Sequence, residues 1–561
     1  MVGRRTIRDL LEHRARSDPS REFLVFDDLA GGVLRIDYAG LDRLTNRAAD
    51  LLTRLGVEPG EAINLHLPNC PEFLILWLGA AKLGVVTMPT NVASPAAELE
   101  YLVQHSESRL IFTTPPLAEV AETVRARCPL VRQVVKVDAD VRGLEALLAD
   151  TRDVAPVARP ASEDVAGILY TSGTTSRPKG VLVTHANYLY AGETVAKGLA
   201  LRSDDRFLTA LPLFHGNAQY YSTMGALVAG ATVVLMPRFS ASRYLDVGIR
   251  HRCTVASLFA APMRMLLAQP VDPRHRSNRL RVVMFAQSIS EAQVAEWSSR
   301  FGAPLLQIWG MTETMGPPLM NPLAGPRDPM SIGLPSLGYR VALVGDDGRP
   351  TPPGDIGQIV VEGTPGQTLM LGYFKNPEAT DETLRDGWLW TGDNARQDAD
   401  GRFHFVDRLK DMIKRAGENV AAGEVEAVLG AHPDVFDCAV VGVPDAMRDE
   451  AIVAFVVPHA GATPSAATLI EWCRERLATF RVPSRIELRD TLPRTSVGKI
   501  QKHILRAEAR AGTPGVPGRP GSDQPRLLVS LGILRAPGSP GRSRPEARPA
   551  ASRSQGNSPS R

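Results

Sequence analysis

The chain predicts an α/β fold, and three observations carry the prediction. Short β-branched apolar runs alternate with helix-length apolar segments. Glycine-, proline- and hydroxyl-rich loops follow the ends of those runs. After about residue 340 the texture changes to strands separated by hairpin chemistry. In order, Glu61-Ala62-Ile63-Asn64-Leu65-His66-Leu67 reads as a strand, residues 71–83 as a helix, and Gly84-Val85-Val86-Thr87-Met88-Pro89 as the next strand. The rhythm recurs at residues 231–236 and 282–285, which predicts parallel sheets with helical crossovers. Val341-Ala342-Leu343-Val344, then Gly345-Asp346-Asp347-Gly348, then Gly357-Gln358-Ile359-Val360-Val361-Glu362 predict a small antiparallel β subdomain. Beyond Asp407 an α/β unit of about a hundred residues reaches Ala511, the size of a separate domain. Residues 512–561 are dominated by Pro, Gly, Ser and Arg and predict a disordered tail; its apolar island at 527–534 is read as part of that tail rather than as a binding segment.

Composition bounds the function. A chain of 561 residues exceeds one hydrophobic core and should divide into at least two domains. Its 44% hydrophobic and 22% charged residues are ordinary for a globular protein. A net charge of +3 is too small to argue for nucleic acid or a membrane surface. Five scattered cysteines (Cys70, Cys128, Cys253, Cys438, Cys473) show no Cys-x-x-Cys spacing and read as reduced core thiols, not as a disulfide frame or metal site. The first twenty residues carry arginines without an apolar core, so no signal peptide is expected. The most apolar run, residues 73–81, is about half the roughly 20 residues a membrane span needs. The expectation is a cytoplasmic protein.

Residues 170–180 read Tyr-Thr-Ser-Gly-Thr-Thr-Ser-Arg-Pro-Lys-Gly, after the buried-strand pattern Val165-Ala166-Gly167-Ile168-Leu169-Tyr170. Glycines let backbone N–H groups turn toward a ligand, while hydroxyls and an ammonium suit phosphate oxygens. A Walker loop needs Gly-Lys-Ser/Thr, whereas Lys179 stands between Pro178 and Gly180. The loop therefore points to a nucleoside triphosphate without P-loop chemistry; the plain alternative is a solvated linker. Serine-hydrolase and zinc-protease readings fail for want of Gly-x-Ser-x-Gly and His-Glu-x-x-His. Asp398-Ala399-Asp400-Gly401 lacks the remaining spacing of a calcium loop and reads as a hairpin turn.

Five segments in order resemble the adenylate-forming superfamily: residues 170–180, Ile308-Trp309-Gly310-Met311-Thr312-Glu313, Trp390-Thr391-Gly392-Asp393, Asp407-Arg408-Leu409-Lys410-Asp411 and Pro493-Arg494-Thr495-Ser496-Val497-Gly498-Lys499-Ile500. The resemblance covers about residues 5–508. Ser331-Ile332-Gly333, residues 411–420 and Arg448-Asp449-Glu450-Ala451 look most like bacterial acyl-CoA ligases, including crotonobetaine/carnitine-CoA ligases and fatty-acid-CoA ligase-like enzymes.

The resemblance implies a large N-terminal domain of two βαβ subdomains plus a small β-barrel-like subdomain (1–407), a mobile smaller α+β C-terminal domain (408–511) and the tail (512–561). It implies ATP, Mg²⁺ and CoA, and an acid turned into an acyl-adenylate before a thiol takes the acyl group. Thr171, Ser172, Gly173, Thr174, Thr175 and Lys179 would cradle the β- and γ-phosphates. Thr312 would reach the α-phosphate and Glu313 would hold Mg²⁺. Trp309, in place of the more usual tyrosine, would stack on adenine, while Asp393 and Arg408 would take the ribose hydroxyls. Lys499 would bridge the attacking carboxylate and the α-phosphate. Lys410 matches the hinge, and Lys414 and Gly417 the thiolation face near pantetheine; an exposed helical i, i+4 pair is the alternative for Lys410 and Lys414. His215 matches a histidine between acyl pocket and pantetheine tunnel, although a lone histidine among apolar residues is also at home simply packed.

Asn217, Gln219 and Gln287 are expected to line the acyl pocket, and their amides favour a small, polar or aromatic carboxylic acid over a long chain. Two other readings stay open: loading of a carrier-protein thiol, and activation of another oxyanion, such as nitrite, for attack by an amine.

Overall fold

The computed structural model describes residues 2–140, 142–171, 177–287, 289–345, 347–408, 411–415, 418–445, 449–494 and 500–511. Among them, two large sheets make the main body. One has nine strands in the spatial order Leu334–Pro335, Leu319–Met320, Leu305–Trp309, Val282–Ala286, Val255–Phe259, Arg206–Thr209, Thr232–Leu235, Glu22–Asp27 and Val33–Asp37. Its six middle strands run parallel, and antiparallel strands close both edges. The other has seven, in the order Gly372–Tyr373, Lys179–Thr184, Val165–Thr171, Val86–Pro89, Ala62–His66, Leu110–Thr113 and Gln133–Lys136. Here too the predicted parallel pattern holds in the middle and gives way to antiparallel pairing at one edge, where Val165–Thr171 and Lys179–Thr184 are hairpin partners.

The helix Pro71–Leu83 explains how the two sheets share one core. It starts with Pro71 at its first turn and stops at Gly84, whose φ of 85° suits a left-handed C-terminal cap. Every residue between is buried, so it has no solvent face and must pack on all sides. A continuous apolar cluster joins its side chains to Phe23 and Leu235 of the nine-stranded sheet and to Ile63 and Phe112 of the seven-stranded one.

The predicted antiparallel subdomain is present as Arg340–Val344, Ile356–Glu362, Leu384–Arg385, Trp388–Gln397 and Phe403–Arg408. Among the described residues these strands make an open sheet, which corrects the barrel-like expectation: Trp388–Gln397 pairs three ways and no closing pair joins the edges. Asp398 is the turn residue expected, its backbone exchanging hydrogen bonds with Arg402 and Gly401. The last sheet comprises Glu418–Ala421, Met412–Arg415, Asp449–Pro458, Val435–Asp445 and Arg485–Leu488, flanked by helices Ala422–Gly430, Ala466–Arg474 and Lys502–Ala511. Lys414 therefore lies on a strand, which removes the helical-pair alternative. All five cysteines are buried and unbridged.

Candidate active site

Four adjacent parallel strands of the nine-stranded sheet, Arg206–Thr209, Val255–Phe259, Val282–Ala286 and Leu305–Trp309, end on one edge, where open α/β sheets collect their ligands. Several of the expected residues, among them Trp309, Glu313, His215, Asn217 and Gln287, end or follow these strands. Trp309 is the last residue of its strand, and its indole N–H donates to Asp393 Oδ2 at 3.0 Å. Arg408 Nε stands 3.1 Å from Asp393 Oδ1, so both carboxylate oxygens are engaged. Asp393 and Arg408 are also cross-strand partners, and Gly392 before them sits at φ 71°, a conformation that costs glycine little. Thr391 completes the turn by donating to the Ile359 carbonyl at 2.7 Å and accepting from the Asp393 amide at 3.1 Å.

A second group centres on Glu313. Thr312–Thr314 forms a single 3₁₀ turn, and Glu313 is buried within it. The Tyr373 hydroxyl donates to Glu313 Oε1 at 2.9 Å, and the Lys179 ammonium lies 4.9 Å from the Tyr373 ring centroid. Burial, and then the adjacent Glu313 carboxylate, push the Tyr373 phenol above its ordinary range, so it stays a donor. Lys179 pairs in register with Thr171, at the mouth of the loop between them. Beyond Thr314, Met315 takes φ 66° and ψ −58°, and the Gly316 amide bonds the Thr314 carbonyl at 2.7 Å. This is a γ-turn of the rarer, strained hand. Tyr339 steadies it, donating to the Thr314 carbonyl at 2.8 Å and accepting from the Gly316 amide at 2.7 Å. Nothing in the spacing of Tyr373, Met315 or Tyr339 pointed to these roles.

His215 follows the strand Arg206–Thr209, with its ring 4.5 Å from that of Phe214. The π-helix Asn217–Thr223 begins just after it. Asn217 Oδ1 accepts from Ser257 at 3.0 Å, which anchors it to the neighbouring strand. Gln287 holds φ 77° and offers its carbonyl to the Gln307 amide at 3.2 Å. Gln219 corrects an expectation: it is buried, Tyr188 donates to its Oε1 and its Nε2 donates to the Leu213 carbonyl, both at 2.7 Å. Among the described residues its amide is engaged by Tyr188 and Leu213, so it is a packing group within the protein.

Lys414 stands apart, with an exposed side chain and its backbone N–H bonded to Glu450 Oε2 at 2.8 Å. Ser172, Gly173, Thr174, Thr175, Lys410, Gly417 and Lys499 lie outside the described residues. Three residues beyond the last of these, Lys502 is half-buried, with its ammonium 2.8 Å from Glu426. Burial opposes its charge, but Glu426, Asp407 and Asp411 outweigh it and push its pKa up. Gly333, in the Ser331-Ile332-Gly333 stretch, lies against the Met320–Asn321 backbone, where an added Cβ would come within 2.1 Å of a carbonyl carbon. Any larger residue would displace that backbone.

The AMP-binding enzyme family matches residues 11–374, and the AMP-binding enzyme C-terminal domain matches residues 424–499. Crotonobetaine/carnitine–CoA ligase of Salmonella typhimurium is 38% identical over 517 residues, covering 90% of this chain and all of the relative. ATP-bound MatB from Rhodopseudomonas palustris superimposes with a TM-score of 0.82 at 29% identity, over 90% of this chain and 99% of that one. The anthranilate CoA ligase AuaEII with anthranoyl-AMP gives 0.84 at 27% identity, over 91% and 98%. The chain belongs to the AMP-binding enzyme family and, within it, to the acyl-CoA synthetase branch of AMP-forming ligases that use ATP and CoA on small carboxylic acids.

Proposed function

We propose that this ligase activates a small polar or aromatic acid, with Mg²⁺ accompanying ATP, and delivers the acyl group to CoA rather than to a carrier protein. A carboxylate oxygen of the acid attacks the α-phosphorus of ATP, the bond to pyrophosphate breaks, and the thiol sulfur then attacks the acyl carbon to release AMP. The protein's part is positional and electrostatic. Trp309, Asp393 and Arg408 would orient the nucleoside. Lys179 and the loop before it would neutralise the outer phosphates, with Thr312 at the α-phosphate. Lys499 would bridge carboxylate and α-phosphate. Lys410, Lys414 and Gly417 would serve the turn of the 408–511 domain that exposes the thiolation face.

Mg²⁺ fits the donor set. Among the described residues no cluster of three or more His, Cys, Asp or Glu offers an all-protein cage. One buried carboxylate, Glu313, oriented by Tyr373, suits an ion that takes its other ligands from phosphates and water. Bound with ATP, it supplies charge neutralisation at the phosphates.

The observation that carries the nucleotide reading is the joint engagement of Asp393 by Trp309 and Arg408 beside the Lys179–Tyr373–Glu313 group. The acid class rests on polarity at the same strand ends. The Tyr220 hydroxyl and Gln307 Oε1 are buried without a protein partner among the described residues, which a hydrocarbon tail would leave unsatisfied. No helix among the described residues is long and apolar enough to cross a membrane, and the buried free cysteines support a reducing, cytoplasmic setting.

The test is pyrophosphate release over an acid panel (betaine-type, short dicarboxylic, benzoate-type and long-chain), with and without CoA. Turnover on a polar or aromatic acid that rises at least about tenfold with CoA is expected. Preference for long chains contradicts the acid class, and indifference to CoA points to a carrier protein or an amine.

A further inference from the structure

The loop that carries His215 is held by a side chain from the other sheet. Asn69 follows the strand Ala62–His66 of the seven-stranded sheet and is buried. Its Nδ2 donates to the Leu211 carbonyl at 3.0 Å and the Met236 carbonyl at 3.1 Å, while its Oδ1 accepts from the Leu213 amide at 2.7 Å. All three acceptor and donor groups belong to the nine-stranded sheet's loops. From the opposite side Gln219 Nε2 grips the Leu213 carbonyl, with Tyr188 fixing Gln219 in turn. Both polar groups of the Leu213 main chain are thus caught by side-chain amides, two residues before His215. The His215 amide then closes on the Pro212 carbonyl at 3.1 Å.

We propose that Asn69 and Gln219 are positioning residues that set His215 against the acyl group. The inference rests on the reading of His215 as the residue between acyl pocket and thiol. An amide is the one uncharged side chain able to give two hydrogen bonds and accept a third here, so Ala at this position leaves all three loop groups without that partner. A buried loop peptide released from such a partner shifts or admits water, and a shift of about 1 Å near reacting atoms is worth up to 10²-fold in rate.

The experiment is a double-mutant cycle on the full chain, measuring thioester formation with the best acid of the panel. Asn69→Ala should lower kcat/KM for the acid at least about tenfold while KM for ATP stays within about twofold, since the hydrogen-bond partners of Asn69 among the described residues are Leu211, Leu213 and Met236, none of them a residue read as nucleotide-binding. In a His215→Ala background the further effect of Asn69→Ala should fall below about twofold. If Asn69→Ala does not fold, as judged by loss of a cooperative melting transition, Gln219→Met releases the same peptide from the other side and should give the same coupling. His215→Ala impaired with additive Asn69 and Gln219 effects overturns the inference alone. His215→Ala with wild-type kinetics overturns the role of His215 and the inference with it.

Discussion

Trp309 and Asp393 stand 84 residues apart and meet through a single hydrogen bond between two buried side chains. In the proposed function the indole would do two jobs: its face would stack on the base, and its N–H, which bonds one oxygen of Asp393, would hold the carboxylate read as the ribose acceptor. Trp309→Phe keeps the face and deletes the donor. A hydrogen bond to a charged group contributes about 1.5–3 kcal/mol, so KM for ATP should rise about tenfold or more, with the melting temperature little changed. Initial rates against ATP concentration check this, and a KM within twofold of the parent contradicts it. The candidate site residues picked out from sequence lie in short contiguous motifs, as Thr312-Glu313 and Thr391-Gly392-Asp393 do. Tyr373 and Asn69 were not, because their meaning lies in contacts 60 and 142 residues away.

At the scale of the element, Pro71–Leu83 was recognisable end to end, since the apolar run 73–81 is too long for an ordinary strand and is framed by Pro71 and Gly84, residues that suit a helix start and stop. What could not be read was the burial of Glu72 in its first turn. Its carboxyl has only the neighbouring Cys70 thiol as a side-chain partner among the described residues, and an added Cβ at Gly143 would come within 2.5 Å of Oε1. Burial, reinforced by Asp140 and Asp138, raises its pKa from 4.5 to about 7. The unfolded chain gives up this proton near pH 4.5 and the folded protein only near 7, so rising pH favours unfolding across that window and has no further effect above it. Glu72→Gln should leave stability unchanged below pH 4.5 and increase it by up to about 3 kcal/mol above pH 7. Melting temperatures of both proteins at pH 4.5 and pH 8 test this, and an equal difference at both values contradicts it. Strand pairing was the other gap: 165–170 was legible as a strand running into a loop, but its antiparallel pairing with Lys179–Thr184 was not. Local pattern specifies that a strand exists, and tertiary packing chooses its neighbour.

Over the whole molecule, the main body and the last sheet meet through charges. Asp437 on Val435–Asp445 lies 3.7 Å from Arg264 of the helix Ala260–Leu267 and also pairs with Arg494, whose pKa burial lowers to about 10. The Gly423 amide donates to Asp407 Oδ2 at 3.1 Å. One ion pair, Arg264 with Asp437, and one hydrogen bond, Gly423 to Asp407, are polar contacts of a kind that can open and re-form more readily than the continuous apolar cluster inside the main body. The central claim is that the acid itself attacks the α-phosphorus of ATP, and one isotope measurement addresses it. With both carboxylate oxygens of the acid labelled with ¹⁸O, and with ATP and CoA supplied, mass spectrometry of the products should find one labelled oxygen in the phosphate of AMP and none in pyrophosphate. Label in inorganic phosphate alongside ADP, or AMP free of label, would contradict the account.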